Sequence, residues 1–105
     1  MYRLTILYGT PEDPEAFERY YREVHLPIAS QMEGLTGWNL HWTSEQTGDV
    51  APGIHLVVDL LAEDKASMDA ILASEAGRAA SADVPNFATG GVTFLSGDEE
   101  RVPTA

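Results

Sequence analysis

A chain of 105 residues, 44% hydrophobic and without cysteine, is read as one globular domain with no disulfide framework and no cysteine–zinc site. Its net charge of −11, from 6 Lys+Arg against 17 Asp+Glu, repels phosphate backbones and argues against nucleic-acid binding. No apolar run approaches the ~20 residues of a membrane span, and the opening MYRLTILYG lacks the basic region and cleavage site of a signal peptide, so the expected compartment is the cytoplasm.

Tyr2, Leu4, Ile6 and Tyr8 alternate, which predicts a first strand. After the turn GTPEDP, Asp13 and Pro14 form an N-cap and first-turn pair. Phe17, Tyr21, Val24 and Ile28 follow at helical spacing, with Tyr20 beside them. Pro27 disfavours helical geometry at the residue before it, so this helix is expected to bend or end near Leu26.

GWNLHWT and GIHLVVDLL read as two strands around the loop SEQTGDVAP. A hairpin centred on Gly48 sets Trp38, Leu40 and Trp42 against Val58, Leu56 and Ile54, and His41 against His55. Asp64 caps a second helix carrying Ala66, Met68, Ile71 and Leu72, and Ser74 starts a shorter turn through EAGRAASA. Val92 to Ser96 is the last strand, and residues 98–105 are a polar tail after a domain spanning 1–97. The order β-α-β-β-α-β predicts an α+β, ferredoxin-like fold: a four-stranded antiparallel sheet with helices on one face.

FERYYREVHLPIA, GLTGW and SEAGRAASADVPNFATGGVTFL resemble the EthD family of small bacterial proteins, including its F-x-x-Y-Y-x-x-x-H-x-P helix and its D-V-P-N-F-A segment. The resemblance covers residues 2–97. It implies a dimeric α+β barrel, in which two subunits meet through their sheets, with a pocket in each between sheet and helices. Related proteins of this barrel type include methylmuconolactone isomerases, polyketide cyclases and cofactor-free monooxygenases, which move protons on oxygenated molecules without metal or organic cofactor. No G-x-G-x-x-G follows a strand, so no nicotinamide or flavin is expected.

His25 is the leading candidate for proton transfer, because imidazole titrates near ~6.5. The competing reading makes it a structural cap near the Pro27 bend. Tyr21 is a candidate hydroxyl donor, and Asp83 a carboxylate able to hold an imidazole nitrogen; with His25 they form the candidate catalytic set. Tyr8, Tyr20, Trp38, Trp42, Asn86 and Phe87 are the candidate substrate-binding residues: hydroxyls, an aromatic floor, an amide donor and an apolar anchor. For DVPNF the bland alternative is a turn lock built from Asx side chains, and for the tyrosines and tryptophans it is core packing. A metal at His41 and His55 would need a third ligand such as Asp59, and no H-x-x-x-H spacing supports one.

The resemblance, taken with these candidate residues, therefore implies a homodimeric, cofactor-independent acid–base enzyme acting on a small oxygenated organic molecule. A non-catalytic binding or accessory protein for a hydrophobic metabolite, and a cofactor-free monooxygenase, are the alternatives.

Overall fold

A computed structural model describes residues 1–105. Strands β1 (Tyr2–Gly9), β2 (Gly37–Trp42), β3 (Ile54–Ala62) and β4 (Val92–Asp98) form one antiparallel sheet in the order β2-β3-β1-β4. One face is covered by α1 (Pro14–Tyr20), a π turn (Tyr21–His25), α2 (Leu26–Ala29), α3 (Lys65–Ala73) and α4 (Glu75–Asp83), the last running into a 3-10 turn at Val84–Asn86. This is the ferredoxin-like arrangement that the element order predicts.

The alternation in β1 and β3 decides which face is buried. Leu4, Ile6 and Tyr8 join Leu56, Val58, Leu60 and Ala62 in a core with Phe17, Tyr21, Met68, Ile71, Val84 and Phe87. The opposite face presents Thr5, Leu7, Val57 and Leu61, all half-buried. Arg3 crosses it to Asp59 at 2.8 Å and pairs with Glu99 beyond β4. Capping fixes the helix starts: Asp13 accepts from Ala16 N at 3.1 Å, Asp64 from Ser67 N at 2.7 Å and Ser74 from Gly77 N at 3.1 Å. The segment after Ser74 is a full helix where a short turn is expected from sequence.

The β2–β3 register also differs from that expectation. Trp38 pairs with Leu60, Leu40 with Val58 and Trp42 with Leu56, a shift of two residues along β3. A two-residue shift leaves every side chain on its original face, so hydrophobic alternation cannot distinguish the two registers. The loop does: Gln46 donates to Ala51 O at 3.2 Å and Pro52 O at 3.1 Å, and accepts from Ile54 N at 2.7 Å.

His41 consequently faces Val57 and not His55. The partner of β1 jumps from Leu56 at Tyr8 to Ile54 at Gly9, leaving His55 as the extra residue of a β-bulge. Its ring packs edge-on against Phe17 (5.2 Å) and Trp42 (5.7 Å). No cluster of three His, Cys, Asp or Glu side chains is placed to hold a metal ion.

The first helical run passes through Pro27 instead of ending before it. Leu26 N donates to Tyr21 O, skipping one residue of the usual ladder, and Pro27 has no N–H to contribute. Its buried stripe is Phe17, Tyr21, His25 and Ala29, whereas Val24 is 38% exposed. In a regular helix each four-residue step drifts by about 40°. The wider π turn absorbs part of that drift and keeps every fourth residue facing the sheet. His25 thus takes the inward place that 3.6-residue periodicity assigns to Val24.

Candidate active site

The π turn sets His25 over the sheet, 5% exposed, between the rings of Tyr21 (5.0 Å between centroids) and Phe87 (4.7 Å). Phe87 follows the 3-10 turn that Pro85 favours, so one loop supplies both the apolar support and, at the end of α4, the carboxylate of Asp83. His25 Nδ1 lies 2.9 Å from Asp83 Oδ2. Asp83 Oδ1 accepts from Tyr20 Oη at 2.6 Å and from Asn86 Nδ2 at 3.0 Å.

These contacts set the protonation states. Burial pulls the Asp83 pKa upward, but the hydrogen bonds from Tyr20, Asn86 and His25 outweigh it and hold the carboxyl below its ordinary 3.8. An ionised Asp83 makes Nδ1 of a neutral His25 the donor and leaves the lone pair on Nε2. Burial lowers the His25 pKa below 6.5, and the hydrogen bond and charge of Asp83 oppose this only in part. The imidazole is therefore neutral at pH 7 and able to accept a proton.

His25 lines a cavity of about 50 Å³ between the sheet and the helices. Its walls are largely aliphatic, with Leu4, Ile6, Leu60 and Val84 among them, and the side chains there with polar atoms include Tyr8, Tyr21, Trp38 and Ser81. Phe94 and Ser81, both exposed, mark where it reaches the surface between β4 and α4. Burial raises the pKa of the Tyr8 and Tyr21 phenols, so both stay protonated and can donate. Gly77 is also in the wall; a Cβ there would collide with the carbonyls of Ile71 and Leu72, so glycine lets α4 close against the end of α3.

The structure separates the candidate residues into groups. Tyr8, Tyr21, His25 and Trp38 line the cavity, while Asp83, Tyr20 and Asn86 stand behind His25 as a hydrogen-bonded support. The Asn86 amide, expected to meet a substrate carbonyl, is committed to Asp83. Trp42 lies outside the cavity, packed on Phe17 and Tyr21 with the Arg22 guanidinium 5.0 Å from its ring. Phe87 packs behind the site against Tyr8, Phe17, Tyr20, Tyr21 and His25. Sequence reasoning passed over Phe94, Met32 and Gly77, and only Gly77, a glycine inside a helical pattern, carried a local signal.

The model of the EthD domain matches residues 10–91. An 11.0 kDa Rhodococcus erythropolis protein from the thcB–thcC intergenic region, described as uncharacterized, is 39% identical over 97% of this chain and 98% of its own length. An EthD (ethyl tert-butyl ether D) family protein from Bacillus halodurans, solved as a crystal structure, superposes with a TM-score of 0.79 at 25% identity, covering 95% of this chain and 99% of that one. A ferredoxin-like protein of the dabb family from Mesorhizobium loti gives 0.69 at 15% identity over 99% and 97%, a likeness of fold alone.

Proposed function

The chain belongs to the EthD family, and on that footing we propose that it is a cofactor-independent acid–base enzyme acting on a small oxygenated organic molecule. The observation that carries this reading is the His25–Asp83 pair, 2.9 Å apart, with the neutral imidazole on the wall of an apolar cavity. His25 Nε2 takes a proton from a carbon next to a carbonyl, or from a hydroxyl. Asp83 stabilises the resulting imidazolium and keeps the ring oriented. Tyr21 or Tyr8 donates a hydrogen bond to the oxygen on which negative charge collects. The imidazolium then returns the proton to a second atom of the same molecule, giving an isomerisation or cyclisation with no net change of oxidation state.

We assign the working form to a homodimer in the cytoplasm, with the open sheet faces of two copies together. Leu95 is 52% exposed on that face, which also carries Leu7, Val57 and Leu61 on the neighbouring strands. Apolar side chains on an uncovered sheet favour burial against a partner.

The test is proton exchange in D2O, followed by NMR for a set of lactones, ketones and phenols. The wild type is expected to speed deuterium incorporation into at least one of them, and His25→Gln to lower that rate by roughly 10²–10⁴-fold. Equal rates in the two proteins would overturn the acid–base reading. Ligand binding that survives the substitution without any exchange in the wild type would assign a binding role, and oxygen consumption during turnover would assign an oxygenase.

A further inference from the structure

The polar atoms of the cavity wall constrain what it can hold. No Lys, Arg, Asp or Glu lines it. Its one titratable group near neutrality, His25, is kept uncharged by burial and backed by the Asp83 carboxylate. An anionic ligand would lose its hydration, meet no cation and face the field of Asp83. A cationic ligand would find no carboxylate on the wall itself.

Trp38 supplies the second constraint. It is part of the wall, and its indole Nε1 is buried with no acceptor anywhere in the protein. An indole N–H only donates, and leaving a buried donor unmet is costly. Nε1 itself is covered in the unliganded cavity, so the oxygen acceptor that would complement it must come from a ligand that displaces the side chains over it. The void of about 50 Å³ has room for roughly one or two waters and not for a ring. A ring would therefore require a wall side chain to move, and Phe94, 54% exposed, is the large wall side chain least covered by neighbours.

We propose that the cavity takes an uncharged ligand, one small ring in size, whose hydroxyl or carbonyl oxygen accepts the Trp38 indole N–H while the reacting proton faces His25. This rests on the acid–base reading of the same site and narrows its substrate class: the ligand carries no carboxylate or phosphate.

The experiment is an NMR titration of the full-length protein that follows the Trp38 indole N–H and the His25 ring together, with the Trp42 indole as the internal reference outside the cavity. The probes are phenol, γ-butyrolactone, toluene and benzoate. Phenol or the lactone is expected to move both the Trp38 N–H and the His25 resonances. Toluene should leave the Trp38 N–H without a hydrogen-bond shift, and benzoate should bind at least tenfold more weakly than phenol. Trp38→Phe should weaken phenol binding by roughly 3- to 10-fold and leave toluene unaffected.

A response at His25 without one at Trp38 would overturn this proposal and leave the acid–base reading in place. Benzoate binding as tightly as phenol would overturn the uncharged class. Silence of both residues toward every probe would overturn both.

Discussion

His25 and Asp83 are 58 positions apart in the chain, yet their side chains meet at 2.9 Å with both at 7% exposure. The π turn brings one partner and the end of α4 the other, so the pair exists only when the two helical segments pack on the sheet. Tyr20 and Asn86 keep the carboxylate ionised from behind. The imidazole is left with one bonded nitrogen and one that is free to react.

Asp83→Asn tests the orienting role. An amide cannot hold the imidazolium as a carboxylate does, so the His25 pKa should fall further and its tautomer become mixed. Imidazole nitrogen shifts measured by NMR check both effects, and turnover of any substrate found by exchange should drop by roughly 10²-fold or more. Unchanged imidazole shifts would show that Asp83 does not control the ring.

Stability should depend on pH in two steps, both on the acid side. His25 is depressed on folding, so the unfolded chain binds its proton first and stability falls as pH drops below about 6.5 toward the lowered folded value. Asp83 is also depressed, so its contribution is present above 3.8 and is lost below that pH. Urea midpoints from pH 8 to 3 measure this. In His25→Gln the upper step should vanish, and in Tyr20→Phe the lower step should shrink, because the folded-state pKa of Asp83 moves back toward its ordinary 3.8.

Pro27→Ala restores a backbone N–H inside the helical run. The hydrogen-bond ladder can then close without the wide turn, and the stripe regains its drift of about 40° per four residues. The expected result is a folded protein in which the His25–Asp83 bond is weakened, seen as His25 ring shifts comparable to those of Asp83→Asn. If His25 does not move, packing of Tyr21, His25 and Ala29 imposes the π turn and the proline does not.

The open sheet face predicts the assembly. Light scattering should give a mass twice that of the 11.4 kDa chain. Leu95→Asp would bury an unpaired carboxylate at the contact and weaken association by roughly 30-fold or more. A wild type that stays monomeric at all concentrations would remove the dimer from the proposal.

Much of this molecule is a consequence of local pattern. Alternation in Tyr2–Tyr8 and in Leu56–Leu60, the caps Asp13, Asp64 and Ser74, and the order of elements determined the sheet, its buried face and the fold class, because each depends on neighbours only a few residues away. His25 and Asp83 were legible as candidates from their residue types and from the segments around them. Tertiary structure decided the remainder. A two-residue slip of β2 on β3 leaves the hydrophobic pattern intact, so the register is not written in that pattern; in the observed one Gln46 bonds Ala51, Pro52 and Ile54, His41 faces Val57 and His55 sits in a bulge. The exchange of Val24 for His25 on the buried stripe followed from a π turn that regular helical periodicity does not contain. Which hydroxyl reached the cavity and which reached Asp83 depended on segments more than 50 residues apart closing on each other, a distance across which side-chain chemistry carries no signal along the chain.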